Sequence, residues 1–397
     1  MNGPLEGVRV IDFTHTVAGL YGAMVLADQG AEVIKVGLAH GGAKGLGDSF
    51  KTGFATDDVD YRFIQLNRNK KSISLDLKSP AAKDVFWDLA RVSDVVFDNY
   101  RPGVLTRLGI DYPALRKVNP TIISCSITAF GSTGPYRDRP AADYVVQGVS
   151  GLLSLTGLPG KPIIPGTYVV DLAAGTLAAQ GIASALFYRD RSGQGQRVEV
   201  PLLDTAFSLM HYKAAHHLNT GIVPPPDGSK AQGLPLSGVF QTRDGFMTLM
   251  VLTPQQWQGL CQVFGRPDLA EDPRFDTQAQ RVANIDAVND LVESITRTWD
   301  SPDLAERLME LDIPCGPVNT LDKAFADPQA VQSGIVATTL FKGKPYKIVG
   351  NPIKMSGREG QPYGSPPTIG QHTGNVLREL LGYSAQRVTG LRDALAI

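Results

Sequence analysis

Few side chains in this sequence stand where they could do chemistry, and the most suggestive is an aspartate. Asp171 precedes Leu172-Ala173-Ala174-Gly175, the start of an uncharged stretch that runs to Tyr188. Aspartate is among the best helix N-caps, so Asp171 reads first as the cap of a helix beginning at Leu172. Capping does not exclude attack. A helix N-terminus favours the charged carboxylate by roughly 0.3–1 kcal/mol, and Ala173, Ala174 and Gly175 would leave room beside it for a bulky ligand. His15 sits in a short loop after an apolar run, where ligands of open α/β sheets bind; a structural histidine is the alternative. His211, His216 and His217 are spaced by five and one, which does not put two metal ligands on one helical face. Cys315, between Pro314 and Gly316, has no identifiable base nearby and reads as structural.

Several nucleotide and metal chemistries are excluded by spacing. The turn after the first apolar run, residues 13–19, holds one glycine where a dinucleotide fingerprint needs three, and Val36-Gly37-Leu38 supplies no carboxylate for a ribose. No phosphate-binding P-loop, His-Glu-x-x-His or paired Cys-x-x-Cys occurs.

The elements that must position these residues alternate. Strands are predicted at 8–13, 31–36, 72–77, 94–98, 121–127 and 196–200, and helices at 19–30, 80–92 and 113–118. Strand–helix–strand units of this length imply parallel pairing, and their repetition predicts a doubly wound, Rossmann-like parallel sheet. Residues 131–170 read as loop with a helical turn or two near 144–153, then a small-residue helix at 172–190 and a second helix at 202–217. Pro224-Pro225-Pro226-Asp227-Gly228 reads as a linker. A hairpin over 235–252 turning at Arg243-Asp244-Gly245 and a mainly helical 254–310 predict a smaller α+β domain at 225–320. Residues 1–224 with 321–397 form the large domain, and 366–397 end in a helix or two.

Composition narrows the class. The 397 residues carry 38 Lys plus Arg against 39 Asp plus Glu, a formal net charge of -1, which removes the basic field of a nucleic-acid binder. The 42 glycines and 27 prolines exceed the usual share and predict many tight loops. Three separated cysteines, Cys125, Cys261 and Cys315, make no disulfide framework and fit a reducing compartment. No secretory signal opens the sequence. The uncharged stretch 172–188 falls short of the ~20 strongly apolar residues a membrane span needs. A globular, cytosolic protein is expected, with no membrane partner.

Taken in order, several stretches resemble the class III CoA-transferases, the family of formyl-CoA transferase and carnitine CoA-transferase. The match runs through residues 4–12, Gly30-Ala31-Glu32-Val33-Ile34-Lys35, Asn67-Arg68-Asn69-Lys70-Lys71-Ser72-Ile73 and Leu75-Asp76-Leu77-Lys78. It continues in Asn99-Tyr100-Arg101-Pro102-Gly103, residues 130–135, Asp171, Gly193-Gln194-Gly195-Gln196, Asp272-Pro273-Arg274-Phe275, residues 313–318 and Gly370-Gln371-His372-Thr373. Each piece is weak, but the ordered set spans nearly the whole chain.

The resemblance implies an interlocked homodimer and an enzyme that moves CoA from an acyl-CoA to a carboxylic acid. The family aligns its nucleophilic aspartate with Asp171. Its carboxylate would attack the thioester to give a mixed anhydride, and the CoA thiolate would then form an aspartyl thioester that the incoming acid resolves. Oxyanions would be held by backbone N–H groups of glycine-rich loops, with no metal or redox cofactor beyond the CoA thioester substrate. The resemblance carries CoA contacts onto His15, Val17, Ala18, Leu75, Lys78, Asn99 and Arg107, and a supporting carboxylate onto Asp143. The family's charged residues after the second strand are replaced by Gly37 and Leu38, so Lys44 or Arg101 is expected to supply the phosphate contact. The related alpha-methylacyl-CoA racemases place a histidine base before the Asp143 position. Ala142 stands here, which favours transfer over racemisation; a non-catalytic CoA-binding module is disfavoured by Asp171. No clear copy of the formyl-CoA transferase glycine loop occurs around 232–238. The acids are therefore expected to be larger than formate, for instance dicarboxylates such as succinate, with Arg243 and the histidines as candidate partners.

Overall fold

The computed structural model describes residues 3–37, 55–56, 59–356 and 363–397. Among them, six strands form one parallel sheet: β1 (Arg9–Asp12), β2 (Glu32–Gly37), β3 (Lys70–Ser74), β4 (Val95–Asp98), β5 (Ile123–Thr128) and β6 (Arg197–Pro201). Their spatial order is β3-β2-β1-β4-β5-β6. This is the doubly wound order, with its reversal between β1 and β4. The strands are short β-branched runs, and Val10, Ile11, Ile34, Val95 and Val96 are fully enclosed, as parallel sheets require.

Two helices carry the site. α1 (Val17–Asp28) is apolar nearly all round, so it must be covered on more than one side. α3 (Val169–Ser192), numbered after α2 (Asp143–Val149), covers it. α3 is alanine-rich, which favours helix, and Gly193 in the left-handed conformation (φ 70) ends it. The two cross at glycines. A Cβ on Gly175 would lie 2.5 Å from the Ala18 carbonyl oxygen, and one on Gly22 would lie 2.7 Å from the Gly175 carbonyl oxygen. The small residues after Asp171 therefore admit the α1 backbone rather than leaving open space for a ligand, a correction to the expectation from sequence. By length and composition α3 could cross a bilayer, yet Val170, Ala174, Ala178, Ile182 and Ala185 are buried in the fold.

By packing, the chain forms two compact units. The first takes the described residues of Met1–Ser150, Gly166–His211 and Gln329–Ile397; the second takes Gly151–Pro165 and Tyr212–Pro328. Segments 151–165, 212–224 and 321–328, assigned to the large domain from sequence, cluster with the second unit because they pack on it. The proline stretch 224–228 lies inside that unit, where Asp227 bonds Lys213 at 2.6 Å and its N–H donates to the Leu155 carbonyl. The second unit has a three-stranded antiparallel sheet, β7 (Ser237–Gln241), β8 (Phe246–Met250) and β9 (Cys315–Pro317), in the order β9-β8-β7. Its core gathers Phe240, Met247, Leu249, Trp257, Leu260 and Phe275. The helix predicted over 202–217 is broken into α4 (Leu202–Leu209) and α5 (His211–Thr220), since His211 takes φ 41. A hairpin of β10 (Val336–Phe341) and β11 (Lys344–Val349) was not anticipated; its turn is Lys342-Gly343, both at positive φ.

Candidate active site

Where β1 and β4 part, two loops diverge from the carboxyl ends of the sheet, the place where open α/β sheets bind ligands. The Asn99 side chain, just past β4, joins them: its Oδ1 accepts the His15 N–H at 2.9 Å and its Nδ2 donates to Thr16 Oγ1. The His15 ring lies 5.1 Å from the Tyr100 ring. Partial burial and the Lys35 ammonium hold that imidazole below its usual pKa. A pocket of about 90 Å³ is lined here by Thr16, Ala18, Asn99, Tyr100, Arg101 and Arg139. An open cavity of about 370 Å³ adjoins it, sharing Tyr100, Arg101 and Arg137 and adding Asp98, Ser126 and Arg197.

Asp171 occupies the third position of α3, because the helix starts at Val169 rather than Leu172. It is therefore not the N-cap. That work falls to Asp143, at the start of α2, whose Oδ2 accepts the N–H of Val170 at 2.9 Å and of Asp171 at 2.8 Å. Buried Gln147, one turn on, donates its Nε2–H to Asp143 Oδ1. A carboxylate from another element thus satisfies two of the helix's orphan donors. The first turn of α1 packs close by: the Ala18 carbonyl lies 2.5 Å from where a Cβ on Gly175, one turn on from Asp171, would stand. Burial first, and then the Asp143 carboxylate, push the Asp171 carboxyl up to about 7, with the Ala18 main chain opposing. Like charge and desolvation outweigh the helix end. Near neutrality the free protein therefore holds Asp171 partly protonated, where the sequence suggested a fully ionised group. Ala142, extended at φ -138, precedes Asp143 and offers no base. Tyr144 and Tyr168 stack at 5.1 Å on the flank of the two carboxylates.

The other expected residues divide. Val17 and Ala18 open α1; Ala18, Asn99 and Arg101 line the smaller pocket, which His15, Val17 and Asp171 do not. Leu75 is enclosed in the core, which confines any ligand contact to its main chain. Lys78 and Arg107 are exposed, and neither lines the two pockets. Leu38 and Lys44 lie outside the described residues. Arg243 is taken: its guanidinium grips Asp300, with Nε 2.8 Å from Oδ1, so it is not free to receive a substrate carboxylate. His217 contacts the Ile222 carbonyl at 3.0 Å and sits with His216 on exposed α5. Burial pushes the Cys315 thiol up, and its Sγ meets only the Ala305 carbonyl at 3.6 Å among the described residues.

Sequence reasoning missed a charged cluster beneath the first loop. Asp12, Lys35 and Lys70 come from β1, β2 and β3. The strand predicted at 72–77 begins at Lys70 in the structure, so Lys70 lay outside the predicted element.

Geometry defines the class first: a doubly wound α/β protein with an arginine-lined pocket at its switch point and a buried carboxylate near the start of α3. The sequence matches CoA-transferase family III over residues 5–373, and the chain belongs to that family and is a CoA-transferase. It is 35% identical over 382 residues to succinate–glutarate CoA-transferase of Agrobacterium fabrum, covering 95% of this chain and 96% of that one. It is 34% identical to acetyl-CoA:oxalate CoA-transferase of Acetobacter aceti, covering 89% of this chain and 90% of that one. A CaiB/BaiF family protein of Brucella suis has a similar solved structure, with a TM-score of 0.83, 31% identity and coverage of 96% and 100%.

Proposed function

We propose that this CoA-transferase moves CoA from an acyl-CoA to a dicarboxylic acid through a covalent aspartyl thioester on Asp171. The carrying observation is the setting of that carboxylate: buried, beside Asp143, which holds the Asp171 N–H, and raised to about 7 by burial and by Asp143. Such a group is nucleophilic near neutral pH yet not tied up in an ion pair. In the first step a carboxylate oxygen attacks the acyl carbonyl, the C–S bond breaks, and CoA thiolate leaves a mixed anhydride. The thiolate then attacks the Asp171 carbonyl, forming the thioester and releasing the first acid; the second acid enters by the reverse steps. The N–H groups opening α1 suit the oxyanions. His15, Val17, Ala18 and Asn99 would line the CoA thioester, with Arg101 for its phosphates.

Dicarboxylate choice is supported by the relatives named for succinate, glutarate and oxalate, not by Arg243. A homodimer in a reducing, cytosolic setting completes the proposal. It is supported by the exposed Phe187, Tyr188 and Phe207 of the first unit and by three free cysteines; light scattering should give the mass of two chains, and a monomer would refute it. The substrate reading is tested by screening acyl-CoA donors against acid acceptors by mass spectrometry. Succinyl-type donors with dicarboxylate acceptors should turn over. Formate active with every dicarboxylate inert would overturn it.

A further inference from the structure

Beneath the β1–α1 loop, three strands each contribute one charged side chain to a single buried cluster. Asp12 pairs in register with Lys35, and Lys70 follows on β3. Asp12 Oδ1 accepts both the Thr14 N–H at 2.8 Å and the Thr14 hydroxyl at 2.6 Å, which fixes the turn after β1. Lys70 Nζ donates to Asp12 Oδ2 at 3.1 Å and to the Leu20 carbonyl of α1 at 3.2 Å. Lys35 Nζ donates to the Thr14 carbonyl at 2.5 Å and stands 3.9 Å from Asp12.

One carboxylate would need only one lysine. Lys70 is enclosed with Asp12, whereas Lys35 is partly exposed at the edge of the cluster. What the second lysine adds is reach: Thr14 and Leu20, the two carbonyls held, bracket Ala18 in sequence, and Ala18 packs on Gly175, one turn along α3 from Asp171.

We propose that Asp12, Lys35 and Lys70 form a positioning unit that sets the first turn of α1 and so holds it against the start of α3, beside Asp171. The inference rests on the reading of Asp171 as nucleophile. It also gives a physical role to the strand charges at residues 12, 35 and 70. The groups facing Lys70 are Asp12 from β1, Lys35 from β2 and Asp28 of α1, itself bound to Arg68. Burial lowers Lys70 to about 8, Asp12 opposing and Lys35 adding. Loss of that proton weakens the grip on Asp12 and Leu20, so turnover should fall as pH rises through about 8.

The test measures kcat, KM for the acyl-CoA and the pH profile in full-length Lys70→Met, Lys70→Arg and Lys35→Met, with folding checked by circular dichroism. Lys70→Met should lower kcat about tenfold or more, as small misplacements at reacting groups do, with KM changed by less than about threefold. Its alkaline limb should vanish, and Lys70→Arg should recover much of kcat with the limb moved upward. If Lys70→Met does not fold, Lys35→Met carries the same kcat and KM expectation. Folded variants with wild-type kcat and an unchanged alkaline limb would overturn the positioning role. Failure of the nucleophile reading shows separately, as turnover surviving in Asp171→Ala.

Discussion

At the residue scale, Asp171 is governed by its neighbours more than by its place on a helix. Reading the sequence located the aspartate but assigned it the cap, because helix ends are legible only to within a residue or two. Asp143 holds the cap from another element, and no local pattern connects residues 28 positions apart. The same contact has a kinetic consequence. Asp171 must lose its proton to attack, and its carboxyl lies near 7 because of burial and the Asp143 charge. The rate kcat/KM should therefore fall as pH drops through about 7. Asp143→Asn removes the like charge and should move that acid limb to lower pH in a kcat/KM profile. An unmoved limb would show that Asp143 does not act on Asp171 electrostatically. Loss of Asp171 itself, in Asp171→Ala, should cost on the order of 10³-fold or more in turnover.

At the element scale, the crossing of α1 and α3 sets how near Ala18 can come to Asp171. The run of small residues was visible in the sequence; what it was small for was not, because an open ligand space and a close helix contact leave the same composition. Gly175 decides the matter, since any Cβ there would strike the Ala18 carbonyl at 2.5 Å. Gly175→Ala must push the helices apart. It should destabilise the protein by about 1–3 kcal/mol in denaturant unfolding, and lower kcat more than it raises KM. A neutral effect on both would mean that the crossing does not set the site. The hairpin of β10 and β11 escaped notice for a different reason: β11 mixes lysine and proline with apolar residues, which blurs the period of two.

At the scale of the whole molecule, alternation of strand and helix patterns was enough to predict the parallel sheet, because the central strands β1, β4 and β5 are largely buried and read as short apolar runs. Unit boundaries were less legible. Segment 151–165 joins the second unit through contacts such as Leu155 with Asp227, which pair residues far apart in sequence. The switch point lies between β1 and β4, and there Asn99 binds the His15 N–H and lines a pocket with Ala18. The fold thus delivers one aspartate to one ligand site, and the direct test is to look for what that aspartate carries. Protein mixed with its acyl-CoA donor, quenched in acid and digested, should yield the peptide bearing Asp171 heavier by a CoA thioester, and the increment should disappear when the acceptor acid is added. Steady turnover with that peptide at its unmodified mass throughout would contradict the account.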